Sequence, residues 1–223
     1  MNTFNRYHLC ALACLFFSLG WLLQGCEAEP DVIPLSIEMS DHDAYRELEK
    51  GRQTSTGNLI GVGEFTDSRR ETAILGMKSG RWGPWDSYIF TVKGGDLGIA
   101  TADALSRCLR TTGWQIRMID ETETTLPKVL VTGEIIEMQV NAFSNLFSTH
   151  LSASVILLVE KKEQTTGKRS SARLTGSRSR NVLWFDPEDA ESLLNDALAD
   201  AFHQWSPGMD GNEQMVGSRP ATD

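Results

Sequence analysis

Residues 128–205 constrain the fold most, because three long strand patterns there run directly into one helical pattern. In the middle strand Leu151, Ala153, Val155, Leu157 and Val159 fall on one face, with His150, Ser152, Ser154 and Glu160 on the other. That alternation is the pattern of a half-buried antiparallel strand. Before it, residues 129–142 alternate unevenly around Gly133, which points to a bulge. After it, residues 161–168 with Gly167 form a turn, and 169–184 form a third, more polar strand carrying Arg173, Arg178 and Arg180. Such charge protects a sheet edge from pairing with other chains. Asp186-Pro187-Glu188-Asp189 then supplies a cap, a proline in the first turn and acids at a helix N-terminus. Ala190, Leu193, Leu194, Ala197, Leu198, Ala201, Phe202 and Trp205 follow at helical spacing, predicting an apolar stripe packed on the three strands.

Upstream the elements are shorter. Residues 59–66 read as a strand whose Gly61 and Gly63 suit close backbone packing. A nucleotide loop would need a third glycine and an opening helix. Asp67-Ser68-Arg69-Arg70 is a polar turn, residues 78–84 a loop with Trp82 and Trp85 flanking Gly83-Pro84, and 88–93 a second strand. Asp96 caps a helix over 96–112, striped by Leu97, Thr101, Ala104, Leu105, Cys108 and Leu109 and ended by Gly113. Residues 114–118 alternate as a short strand, and Pro127 marks a boundary. A short edge strand over 32–39 and a short helix over 43–50 are further expectations. The fold class is α+β: an antiparallel sheet with a long three-stranded meander packed by two helices, in the order β-β-α-β-β-β-β-α.

The N-terminus carries a different signal. Arg6 and His8 precede an apolar run over 9–23, broken by Ser18 and Gly20 and too short for a comfortable membrane span. The run closes on Leu23-Gln24-Gly25-Cys26, which resembles the lipobox of bacterial lipoproteins. The resemblance implies cleavage between Gly25 and Cys26, a diacylglyceryl group on the Cys26 thiol, and acylation of the new amine, typically by palmitate. Gln24 stands where a small residue is more usual. Glu27 follows Cys26 in place of the Asp that marks inner-membrane retention, so the same resemblance implies an outer-membrane anchor facing the periplasm of a two-membrane bacterium. One acyl chain binds a membrane marginally, whereas two or more anchor stably.

Composition narrows the partners. Lys and Arg number 21 against 30 Asp and Glu, a formal net charge of −9, and residues 1–25 would remove one further cation, Arg6. That acidity disfavours nucleic acid and anionic lipid as main partners. Of the 4 cysteines, Cys10 and Cys14 would leave with the signal and Cys26 would carry lipid, so Cys108 has no disulfide partner within the chain. On an apolar helical face Cys108 suits a small buried hydrophobe. The expected organisation is a signal peptide over 1–25, a lipid-anchored tether over 26–57, one α+β periplasmic domain over 58–206 and a disordered tail over 207–223.

Several short motifs, taken in order, resemble the YajG-like family of bacterial lipoproteins. They are the lipobox, the strand running into Asp67-Ser68-Arg69, and Ile74-Leu75-Gly76. Leu109 to Gly113, Val131-Thr132-Gly133-Glu134-Ile135 and the Leu-Asn-Asp-Ala-Leu of 194–198 complete the set. The resemblance spans about 58–205 and implies a periplasmic α+β domain without an established reaction. The polar segment 27–57 and the tail after Trp205 depart from the family pattern.

No convergent chemistry supports an enzyme. There is no G-x-S-x-G elbow, H-E-x-x-H helix or P-loop. His150 and His203 fall on polar faces, and Asp41-His42-Asp43 lacks the further ligands a zinc site needs. The chain is therefore expected to be non-catalytic, with no cofactor and no metal: a binding or envelope-assembly module. Its partners would be the membrane, through lipid on Cys26, and an envelope protein or a second copy, with no nucleic acid. An accessory lipoprotein of a lipid or lipopolysaccharide transport machine is the alternative, and a periplasmic hydrolase is a more distant one. Asp67 and Arg69 are either a structural ion pair or a partner contact, the ion pair being favoured. Trp82, Trp85 and Phe147, the last beside Leu146 at a hairpin tip, either dock a partner or cover the ends of the core.

Overall fold

The computed structural model describes residues 30–38, 59–80, 86–119 and 127–205. The proposed signal, Gly25 and Cys26, the helix expected over 43–50, Trp82, Trp85 and the tail over 207–223 lie outside the described residues. In chain order the strands and helices are β1 (Asp31–Leu35), β2 (Leu59–Asp67), β3 (Gly76–Gly80), β4 (Tyr88–Val92), α1 (Leu97–Thr111), β5 (Gln115–Met118), β6 (Val129–Ser144), β7 (Thr149–Glu163), β8 (Arg169–Val182) and α2 (Pro187–His203).

The meander is present. β6 pairs with β7 and β7 with β8, both antiparallel, and β8 is an edge. Against β7 the bulge falls at Ile136, between the pairs of Ile135 and Glu137, and against β2 the register shifts between Val62 and Phe65, opposite Val131 to Gly133. The remaining sheet corrects the expectation of an antiparallel one. β2 lies parallel to both β5 and β6, β3 parallel to β6, and β1 parallel to β4; only β3 with β4 is antiparallel there. Tight hairpins join antiparallel neighbours, whereas these strands are reached through helix α1 or long connections that return the chain to the same end. The fold remains α+β, on a mixed sheet of eight strands.

The 16-residue length of β6 leaves room for a strand beyond those expected, β3. Its edge opposite β7 is used twice, by β2 along Val129–Ile135 and by β3 along Ala142–Ser144. β3 occupies part of the segment read as a loop from Lys78. β1 occupies part of the stretch read as a tether, and Leu35 and Ile37 are buried in the core.

The core lies between the sheet and the two helices. Val155, Leu157 and Val159 of β7 face it with Leu194, Ala197, Leu198 and Phe202 of α2, while Leu105 and Leu109 of α1 cover the β2 half. Each of these side chains other than Ala197 contributes roughly 1.5–3 kcal/mol relative to exposure. Asp186 caps α2 by accepting from the Glu188 N–H, and Asp96 caps α1 by accepting from Ile99. Gly176 lets α2 sit directly on β8, since a Cβ there would collide with the Ala197 carbonyl. On the same side Arg178 pairs with Asp200 at 2.6 Å and Arg180 with Asp196 at 3.4 Å, tying the charged edge to the helix.

Candidate functional site

Three features stand out once the sheet is assembled: a joint in the edge of β6, an apolar tip, and a polar outer face. The joint lies where the edge of β6 passes from β2 to β3. Arg69 is 7% exposed, and its guanidinium donates all five N–H groups within the chain. Nε donates to Asp67 Oδ1 at 2.9 Å, and the two terminal nitrogens reach Asp67 Oδ2 at 2.8 Å and the carbonyls of Ile74, Met138 and Thr72. A bidentate, charge-assisted pair of this kind fixes geometry as well as energy. Burial pushes the Asp67 carboxyl up, but the Arg69 side chain, backbone N–H and charge outweigh it and hold the group below its usual value. Nearby, Gly133 passes so close to the Phe65 ring that a Cβ would collide with it. The segments 67–69, 74–76 and 131–135 therefore meet in one structural joint.

The tip is built by the ends of β6, β7 and β8. Ser144 and Thr149 share a buried hydroxyl–hydroxyl bond of 2.8 Å, and Asn145 N–H donates to the Ser148 carbonyl at 2.7 Å. This closes a tight turn that holds Leu146 and Phe147 outward, Phe147 at 85% exposure. The third strand was expected to run to 184 but ends at Val182, paired with Thr149. Leu183 and Trp184 therefore emerge beside the turn, 75% and 87% exposed. Sequence reasoning singled out Phe147 and missed this second pair, which it had assigned to a strand. Just inside the tip Lys78 is only 2% exposed: its ammonium pairs with Asp86 and lies over the Tyr88 and Phe185 rings, 5.1 and 5.3 Å from their centroids. A buried cation over two aromatic faces holds the start of β4 against the end of β8.

The outer face of the meander, away from the helices, is hydroxyl-rich. A groove of about 360 Å³ is lined by Gln139, Asn141, Ser152, Ser154, Ser177 and Ser179, among others. At its upper margin His150 Nδ1 lies 2.9 Å from Asn181 Oδ1, and His203 is exposed at the end of α2. Cys108 is buried, and burial pushes its thiol up to about 12, so it is a packing residue and not a thiolate nucleophile. Among the described residues no group of three His, Cys, Asp or Glu is placed to hold a metal ion, and no helix is long and apolar enough to cross a membrane.

No protein-family model matches the chain, and no curated protein matches it. Among solved structures it is similar to a DUF330 protein from Xanthomonas campestris at 9% identity, covering 78% of this chain and 91% of that one with a TM-score of 0.45. It is also similar to the PelC dodecamer from Paraburkholderia phytofirmans at 13% identity, covering 65% and 87% with a TM-score of 0.38. Lipoprotein GNA1162 from Neisseria meningitidis shares 10% identity, covering 62% and 93% with a TM-score of 0.33.

Proposed function

We propose that the chain is a lipid-anchored, periplasm-facing module of a bacterial outer membrane that binds or assembles envelope components without catalysis. The observation that carries this reading is Cys26 closing Leu23-Gln24-Gly25-Cys26 at the end of a signal-like apolar run, with Glu27 after it. The fold adds support, since β1 begins five residues after Cys26 and the domain stands close to its proposed anchor. The buried Cys108 and the internally spent Arg69 fit structural rather than catalytic duties. The groove beside Ser152 and Ser179 offers hydroxyls and two side-chain amides, which suits binding of a polar partner better than carriage of an acyl chain.

The test is the mass of the N-terminal peptide from protein expressed in a two-membrane bacterium, together with fractionation of the envelope. A peptide beginning at Cys26 with diacylglyceryl and amide-linked acyl mass in the outer-membrane fraction is expected, and Cys26→Ala should lose both. An intact N-terminus, or a cleaved one without lipid, overturns the anchor. Photocrosslinking from position 179, in the groove, in the anchored protein then identifies what the module holds.

A further inference from the structure

The first strand and the most exposed apolar side chains lie at one end of the sheet. Asp31 stands opposite Tyr88, Tyr88 opposite Lys78, and Lys78 opposite Ala142. Asp31 is therefore level with a residue two short of the end of β6, and the chain joins the sheet at the end that bears Leu146, Phe147, Leu183 and Trp184. Four residues lie between Cys26 and Asp31, so the two are at most about 17 Å apart along extended chain. Three strand spacings of ~4.8 Å separate β1 from β6, about 14 Å. The opposite end, where β7 turns into β8, lies roughly 50 Å away along β7, beyond any reach of so short a linker.

We infer that Leu146, Phe147, Leu183 and Trp184 dip into the bilayer interface beside the lipid on Cys26, so that the domain stands on its tip. The inference deepens the proposed function and rests on its anchor. The chemistry of the tip suits this occupant. Residues 143–149 and 182–185 carry no charged side chain. Phe147 and Trp184 present large apolar bodies, and the indole N–H of Trp184 remains available to the wet headgroup layer. The turn is held by the Ser144–Thr149 and Asn145–Ser148 bonds, so the side chains are presented without much ordering cost. The acidic body favours a zwitterionic surface over an anionic one. Anchored by acyl chains and oriented by its tip, the domain would turn its groove sideways, parallel to the membrane plane.

The test uses full-length protein acylated in cells and reconstituted in phosphatidylcholine vesicles. A polarity-sensitive fluorophore is placed by Phe147→Cys, Trp184→Cys or, at the far turn, Thr165→Cys. Vesicle binding should blue-shift the first two positions and spin-labelled phosphatidylcholine should quench them, with position 165 unchanged in both. Acylated protein with no quenching at 147 and 184 overturns the inference while leaving the anchor intact. A blue shift insensitive to the spin-labelled lipid marks a protein contact, from a second copy or another chain, and also overturns it. Quenching at 147 and 184 in protein whose mass shows no acyl groups upholds the tip and overturns the anchor. Phe147→Ser and Trp184→Ser lie outside the core, so unchanged thermal unfolding with lost bilayer contact separates the tip from any folding defect.

Discussion

Arg69→Met tests the joint on which the two-stranded edge of β6 depends. The guanidinium is 7% exposed and its partner Asp67 20%, so the substitution leaves a largely buried carboxylate without its counter-charge. It also removes the donor shared by the Ile74 and Met138 carbonyls. Removing one partner of a buried pair costs about 3–5 kcal/mol, and the solvent still open to Asp67 argues for the lower end, about 3 kcal/mol. For a domain of this size that lowers Tm by roughly 6–12 °C. The pH dependence gives a second readout with a definite sign. The Asp67 carboxyl is held below its usual value in the folded state, so the unfolded state takes up protons first as pH falls. Its stabilisation is complete above about pH 3.9, the ordinary Asp value, and is lost as pH falls through the lower folded value. Without Arg69, burial alone acts and protonation relieves the strain. The gap between wild type and variant should therefore narrow as urea unfolding is repeated from pH 7 down into the acid range. A loss below about 1 kcal/mol, or a gap that does not vary with pH, would refute the reasoning.

One substitution and one labelling experiment probe the helix faces. Gly176→Ala places a methyl against the Ala197 carbonyl and must lift α2 from β8; a loss of about 1–3 kcal/mol in chemical unfolding is expected, and a neutral result would show that the two do not sit in direct contact. Cys108, buried and with its thiol pushed up to about 12, should resist maleimide at pH 7 in native protein and react at once in denaturant; rapid native labelling would place it outside the core.

The meander was legible because β7 buries one face only: burial alternates from Thr149 to Val159, and residue type follows it from His150 to Val155 before Ile156 and Leu158 place apolar side chains on the outer face. α2 was legible for the same reason at helical period. β3 was not. In Gly-Met-Lys-Ser-Gly the residue that faces the core is Lys78, neutralised by Asp86 and covered by Tyr88 and Phe185, so the apolar signal of a strand is missing where the strand is most buried. Parallel pairing was equally hidden, since side-chain alternation is the same in either direction and only the connections decide it. Arg69 shows the limit at the joint. Its proximity to Asp67 could be read, but Met138, 69 residues away, supplies an acceptor that no local pattern announces.

The tip illustrates a different gap, between what a residue is and where its neighbours bring it. Leu183 and Trp184 follow Val182 as a short apolar run that reads as the end of the strand, and nothing local says that its pairing partner stops at Thr149. Only the β6–β7 turn, closing through Ser144 and Thr149, leaves them beyond the sheet. Phe147 and Trp184 each forgo roughly 1.5–3 kcal/mol of burial by standing in water. Both occupy the end at which β1 begins, five residues from Cys26, and a bilayer drawn there by acyl chains would return that burial. If instead a second copy covered the tip, vesicle contact at position 147 would depend on protein concentration; bilayer insertion requires that it does not.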